Sequence, residues 1–171
     1  MNVSPPTVGM DRSESRHQTI FRCFPHPRGD RSVRVAIPSD IPFIEGIAAR
    51  LYAKNQHCFP GIPYCSESTR KYILETMEDP RGIVLVSETS MCGGMLVPFR
   101  WNTSVLVGQV VFWGFNSHRG VGIIKVMAGL LREAGATHFT VASHWPEFRS
   151  ARLYSRIGLQ PCELSCIGRL E

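Results

Sequence analysis

VLVGQVVFW, residues 105–113, leads into the glycine-rich turn RGVG, residues 119–122. The first segment is apolar apart from Gln109, and such a run is typical of a buried strand. A glycine-rich turn that opens a helix leaves main-chain N–H groups without partners, and these groups together with the helix dipole attract anions. The two segments therefore predict a strand–turn–helix unit with a site for a phosphate-bearing ligand.

Length and composition indicate one globular domain with a core of its own. The chain has 171 residues, of which 43% are hydrophobic and 19% are charged. No apolar run approaches the roughly 20 residues that span a bilayer, and the first residues lack the apolar centre of a signal peptide. We therefore expect a cytoplasmic protein that does not associate with membranes.

The N-terminal part differs in composition from the rest. Residues 1–34 contain six arginines, three acidic residues and four prolines, with little apolar periodicity. We expect residues 1–31 to form a basic, disordered or extended arm and residues 32–171 to form the domain. The net charge of +5 suits an anionic ligand. It gives little support for nucleic acid, because beyond the arm no ordered basic face or aromatic platform is visible.

The six cysteines occur at irregular spacings, without a Cys-x-x-Cys pair. This pattern predicts reduced, partly buried thiols and no metal site.

Hydrophobic periodicity and turn residues predict the order β-α-α-β-β-β-α-β-α-β. The helix that follows the RGVG turn has an apolar face consisting of Ile123, Met127, Leu130, Leu131 and Ala134, and Gly135 is suited to end it. The strand-helix-strand units near the end imply parallel neighbours, whereas a hairpin over residues 83–97 implies antiparallel pairing. The predicted fold class is α/β (α+β), a mixed sheet with helices on both faces. Residues 55–65 are predicted to form a loop, and residues 99–104 a polar connection.

Two motifs resemble those of the GNAT family of N-acetyltransferases. The pyrophosphate loop of that family has the pattern Arg/Gln-x-x-Gly-x-Gly/Ala, which residues 119–124 resemble. A second family motif ends in a helical Tyr followed by Gly, as do Tyr154 and Gly158 here. The two motifs stand in the family's order, separated by a helix and a strand, and the layout of residues 32–171 resembles a GNAT domain.

The resemblance implies acetyl-CoA as co-substrate and a thioester lying between the strands at residues 105–115 and 139–142. It implies that Gly114 lies at a bulge that frees an N–H group for the thioester carbonyl. Tyr154 matches the general acid that protonates the departing thiolate. The residues expected to bind the cofactor are Phe115, Arg119, Gly120, Val121, Gly122, Ile123 and Ile124.

The sequence departs from the family pattern in three places. Ile124 replaces a small residue, and its branched side chain is expected to crowd the cofactor or to shift the helix. Glu147 and Ser150 stand where the second motif has Asn and Ala. The central strand has Gln109 but no carboxylate, so the general base must come from elsewhere. His144 is the first candidate for it, ahead of His118 and Glu88.

The resemblance places the loops at residues 55–65 and 99–104 around the acceptor entrance, with His57, Phe59, Tyr64 and Trp101 as lining. These loops hold no acidic cluster, which gives little support for a polyamine or aminoglycoside acceptor. The possible acceptors that stay open are a small amine, a lysine and a protein N-terminus. The predicted function is acyl transfer from acetyl-CoA to a primary amine by direct attack. The alternative is a GNAT-fold protein without catalysis that acts as a binding or structural assembly component, and a homodimer is left open.

Overall fold

The computed structural model describes residues 33–115, 121–142, 155 and 158–160. Five strands and three α-helices lie in these ranges: β1 (Arg34–Val35), α1 (Ile41–Lys54), α2 (Ser66–Glu78), β2 (Gly82–Val86), β3 (Ser90–Phe99), β4 (Asn102–Phe115), α3 (Val121–Glu133) and β5 (His138–Val141). Two short 3-10 helices, Pro38–Asp40 and Gln56–Cys58, precede and follow α1. The predicted arm, the last predicted helix apart from Ser155, and most of the final predicted extended segment lie outside the described residues.

The strands form one mixed sheet in the order β1-β2-β3-β4-β5. The first three pairs of neighbours are antiparallel, and β4 pairs in parallel with β5. Helix α3 makes the connection that a parallel pair requires. The predicted α/β class and the mixed sheet are confirmed.

Helices pack on both faces of the sheet, as predicted. One core, the α3-side core, contains the whole predicted apolar face of α3, together with Leu85, Cys92, Leu96 and Val110. The other core, the α1/α2-side core, contains Ile44 and Ile47 of α1, Ile73 of α2, and Val84 and Met91 of the sheet. Gly135 has a φ of +103° and follows the end of α3, so the predicted left-handed helix end is also present.

The polar connection predicted at residues 99–104 is wrong, because β3 and β4 continue through it as a ribbon. Strand β3 reaches Phe99 and β4 starts at Asn102. The pairing of β2 with β3 ends at Met95, and the pairing of β5 with β4 begins at Val107. The tip of the hairpin therefore extends beyond both neighbouring strands, and its side chains from Pro98 to Ser104 are exposed. The tip is polar because both faces of the hairpin are in contact with solvent there.

The predicted bulge at Gly114 is also wrong, because the irregularity lies at Val111. Gly94 pairs with Val110, and Gly93 pairs with Phe112, so Val111 is the extra residue of β4. The bulge reverses the alternation of side chains. Val110 packs in the α3-side core, whereas Phe112 packs against the α1/α2-side core.

Glycines make this arrangement of β4 sterically feasible. A Cβ at position 93 would lie 2.8 Å from Cε2 of Phe112 and closer still to other atoms of that ring. A Cβ at position 114 would lie 2.8 Å from Cγ2 of Ile47 and would overlap Leu51. Gly114 pairs regularly with Met91, and its role is to let α1 approach the sheet.

Candidate functional site

At their carboxyl ends β4 and β5 are no longer paired within the described residues, and we call this place the opening. The ladder between the two strands ends at the pair Val110 and Val141. Strand β4 continues for five more residues, to Phe115, without a partner in β5. The opening lies at the end of β4 from which the chain turns toward α3.

Trp113 bridges this opening with its side chain. Its indole Nε1 donates a hydrogen bond to the main-chain oxygen of Ala142, the residue after β5, over 3.1 Å. Its ring packs against the α3-side core and lies 5.3 Å from the half-buried ring of Phe115. Phe115 pairs with Ser90, so the β2–β3 turn lies at the same end of the sheet. Glu88 is exposed in that turn, as expected for a solvated residue.

The first turn of α3 provides main-chain donors at this end of the sheet. The helix begins at Val121, and its first four N–H groups have no acceptor within the helix. No acidic side chain lies in the first turn to oppose an anion. Arg119 and Gly120 lie outside the described residues.

The side chains of Ile123 and Ile124 belong to the core. They are 1% and 0% exposed and pack in the α3-side core. The expectation that the Ile124 side chain would crowd a cofactor is therefore wrong, since that side chain is enclosed by protein. The side chains of these two residues are therefore not available to a ligand.

The loop between α1 and α2 is organised around the ring of Tyr52. This ring stacks on Phe59 and contacts Tyr64, with a centroid distance of 5.5 Å to each. The Tyr52 hydroxyl donates to the main-chain oxygen of Ile62. Gln56, His57 and residues 59–63 line an open groove of about 750 Å³. None of these lining residues is acidic, in agreement with the sequence.

This loop follows the end of α1 that packs on the carboxyl end of β4. Leu51, one residue before Tyr52, occupies the space beside Gly114. The loop with His57, Phe59 and Tyr64 thus lies on the same side of the fold as the end of β4. Trp101, in contrast, is at the far end of β4, on the order of 40 Å from Phe115 along the strand. Its predicted place at the acceptor entrance is wrong, and its side chain is 81% exposed.

A buried carboxylate that was not among the predicted site residues ties α1 to α2. Glu45 is 8% exposed, and its two oxygens accept from Nε and Nη2 of Arg70 at 3.1 and 2.8 Å. The Ser66 hydroxyl adds a third hydrogen bond of 3.2 Å. The hydrogen bonds from Arg70 lower the pKa of Glu45 against the opposing effect of burial. The network joins α1 to the first turn of α2 and thereby fixes both sides of the loop between them.

A signal for this residue was present in the sequence. Glu45 lies on the apolar face of α1 with Ile41, Ile44 and Ile47, and a carboxylate in such a position needs a charged or hydrogen-bonding partner. The partner could not be identified, because Arg70 is 25 residues away in sequence.

Helix α2 is capped by the side chain of Cys65, the residue before its first residue, Ser66. The Cys65 Sγ accepts from the Ser68 hydroxyl at 3.2 Å and from the Ser68 N–H at 3.5 Å. These hydrogen bonds lower the pKa of the Cys65 thiol. Ser66 is left to bind Glu45.

Other predicted site residues are not brought together by the described structure. His144, Tyr154 and His118 lie outside the described residues. Cys65 and Cys92 are free thiols, and burial raises the pKa of Cys92. Within the described ranges, no three His, Cys, Asp or Glu side chains are grouped so that they could hold a metal ion. No helix in those ranges is long and apolar enough to cross a membrane.

Comparison with known proteins gives a clear result for the fold. No protein-family model and no curated protein matches the sequence. The chain is similar to the crystal structure of a transcriptional regulator from Bacillus halodurans C-125 (TM-score 0.65, 14% identity, 81% of this chain and 98% of that chain). It is similar to a predicted acetyltransferase from Clostridium acetobutylicum, solved with acetyl-CoA (TM-score 0.62, 13% identity, 80% and 94%).

A third similar structure is the aminoglycoside 6'-N-acetyltransferase AAC(6')-IG from Acinetobacter haemolyticus (TM-score 0.60, 10% identity, 81% and 97%). The structural neighbours are mostly acetyltransferases, and the predicted GNAT-like fold is confirmed. At these identities the likeness concerns the fold.

Proposed function

We propose that the protein transfers an acetyl group from acetyl-CoA to a primary amine by direct attack. The observation that supports this most is the opening between β4 and β5, at the same end of the sheet as the start of α3. A thioester needs a slot with unpaired main-chain groups beside it, and a pyrophosphate needs a group of N–H donors. The described β4–β5 ladder stops at the end of the sheet at which α3 starts, and these two features support our proposal of an acyl-CoA site.

Acetyl-CoA supplies an activated acyl group. The N–H groups of residues 121–124 hold its phosphates, and Arg119 adds a charge-assisted hydrogen bond. In our proposal Val111, the extra residue of the β4 bulge, provides the main-chain N–H that the resemblance assigned to Gly114, because the extra residue of a bulge is not paired in the ladder. In our proposal this group polarises the thioester carbonyl.

Proton transfer is assigned to residues of the C-terminal part of the chain. His144 follows β5 by three residues and takes the proton from the attacking amine. Tyr154 gives a proton to the departing thiolate, a task that suits a phenol because its proton is still in place near neutral pH. The aromatic loop between α1 and α2 forms one wall of the acceptor site.

The replacement of Tyr154 by phenylalanine tests this proposal. With a panel of primary amines, we expect the wild-type protein to release free CoA thiol only when an amine is present. Tyr154→Phe should lower kcat by about 100-fold and leave the KM for acetyl-CoA within about twofold, because the phenol acts only as the thiolate departs.

Tyr72→Phe is the matched control, since Tyr72 lies on α2 with its ring edge against Phe112. It should retain wild-type kcat. A wild-type kcat in Tyr154→Phe would remove Tyr154 from this role. Binding of acetyl-CoA without thiol release for any amine would favour the non-catalytic alternative.

A further inference from the structure

The groove in the loop between α1 and α2 has a mainly apolar lining. The described residues that line its volume of about 750 Å³ are Gln56, His57, Phe59, Pro60, Gly61, Ile62 and Pro63. Ile62 is 47% exposed, so a large part of this aliphatic residue is available to a ligand. Sites for small molecules have volumes of about 300–1,000 Å³ and are lined mainly by apolar groups with a few polar ones. The groove therefore has the size and lining of a site for a small ligand with an apolar body.

The loop that forms the groove is held in place by contacts to α1. The Tyr52 hydroxyl donates to the main-chain oxygen of Ile62, and the Tyr52 ring stacks on Phe59. Tyr64 contacts the same ring and donates from its hydroxyl to the main-chain oxygen of Glu45 over 3.5 Å. A groove that is already formed loses little freedom when a ligand binds, and this favours a ligand of matching shape.

The charges around the groove do not suit a ligand with a second ammonium group. No acidic residue is among the described residues of the lining. Glu45, which fixes both sides of the loop, already accepts hydrogen bonds from Arg70 and Ser66. Glu67 is exposed in the first turn of α2 and does not belong to the lining. Because an ammonium group that leaves water needs a negative or hydrogen-bonding partner, a second positive charge would lose hydration here without gaining an ion pair.

We propose that this groove selects primary amines whose body is apolar or aromatic and carries no second positive charge. This inference rests on the proposed function, because it assumes that the groove belongs to the acceptor site. The apolar body contacts Phe59, Ile62 and the proline rings, and the amino group remains available for acetylation. The Ile62 side chain is suited to substitution, because the hydrogen bond that Ile62 accepts from Tyr52 uses its main-chain oxygen.

The acceptor preference of the wild type provides the first test. We measure kcat/KM, from the release of free CoA thiol, for 2-phenylethylamine and for 1,4-diaminobutane. We expect 2-phenylethylamine to be preferred by at least about tenfold, since one methylene in an apolar pocket already changes discrimination by about that factor. An equal or lower kcat/KM for 2-phenylethylamine, or thiol release with other amines only, overturns the inference alone. Absence of thiol release with every primary amine of the panel overturns the proposed function and the inference together.

Ile62→Asp provides the second test, and Val35→Asp is its matched control. Both positions are 47% exposed, and Val35 lies in β1, outside the groove. In Ile62→Asp the preference for 2-phenylethylamine over 1,4-diaminobutane should fall by at least about tenfold, because a carboxylate that pairs with the second ammonium group replaces an apolar contact. Val35→Asp should keep the wild-type preference. With folding checked by circular dichroism, an unchanged preference in Ile62→Asp, or an equal change in both variants, overturns the inference.

Discussion

Replacement of Ile124 by alanine should lower the free energy of unfolding by about 2–5 kcal/mol, the usual range when a buried isoleucine is reduced to alanine. Ile124 is fully buried in the α3-side core, one turn before Met127 and two turns before Leu131, which are also fully buried. Removal of three carbon atoms leaves a cavity in the part of the core that supports the start of α3. Urea denaturation followed by circular dichroism measures the change.

Acetyl-CoA affinity is the second measurement on Ile124→Ala. We expect the dissociation constant to stay within about twofold under conditions in which the variant is folded, because the main-chain N–H at this position is retained. Ile124→Val should lower the free energy of unfolding by only about 0.5–1.5 kcal/mol. Lys125→Ala, at the exposed neighbouring position, should change it by less than about 0.5 kcal/mol. Tighter binding by Ile124→Ala with no loss of stability would contradict a core role and restore the idea that this side chain crowds the ligand.

Glu45→Ala is expected to have the next largest effect on stability, about 2–3 kcal/mol at pH 7. Loss of one partner of a buried ion pair costs about 3–5 kcal/mol. The Arg70 side chain is 57% exposed and can be hydrated after the change, which reduces the loss. Glu75→Ala is the matched control, because Glu75 and Lys71 form a pair with side chains 59% and 75% exposed. Its effect should be below about 0.5 kcal/mol.

The contribution of Glu45 should depend on pH in a defined direction. Its pKa in the folded protein lies below its ordinary value of 4.5, mainly because of the hydrogen bonds from Arg70. A carboxyl group with a lowered pKa stabilises the folded state above its unfolded pKa, and this contribution is lost as the pH falls through its folded pKa. The stability difference between wild type and Glu45→Ala should therefore be largest at pH 7 and shrink below pH 4.5. A difference that stays constant from pH 7 to pH 3 would show that the loss arises from packing and not from ionisation.

The helices and strands could be predicted because they are determined by the pattern of apolar residues within each segment. Helix α3 repeats apolar residues at helical spacing, and the same residues line the α3-side core. Strands β2 and β4 are apolar runs, and the change from antiparallel to parallel pairing follows from the helix inserted between β4 and β5. Chain segments whose burial follows a simple period could be placed from the sequence alone.

The features that could not be predicted depend on contacts between distant segments. The bulge falls at Val111 because the Phe112 ring lies over Gly93 of the neighbouring strand, and Val111 itself carries no sign of it. The role of Glu45 could not be predicted without its distant partner Arg70. The exposed hairpin tip could not be predicted without knowing where β2 and β5 begin to pair with β3 and β4. In the candidate site, the helix predicted to follow the RGVG turn is present and begins at Val121. That the Ile124 side chain points into the α3-side core could be learned only from the packing of the structure.

Calorimetric titration of the full chain with acetyl-CoA tests the central claim, that the opening between β4 and β5 and the start of α3 hold an acyl-CoA. We expect one site per chain, weakened by about tenfold or more in Arg119→Ala, since a hydrogen bond to a charged group contributes about 1.5–3 kcal/mol. Arg81→Ala should bind like the wild type, because Arg81 lies beside Leu96, toward the opposite end of the sheet, and pairs with Asp79. Absence of binding at millimolar acetyl-CoA, or equal weakening by both arginine variants, would contradict the account.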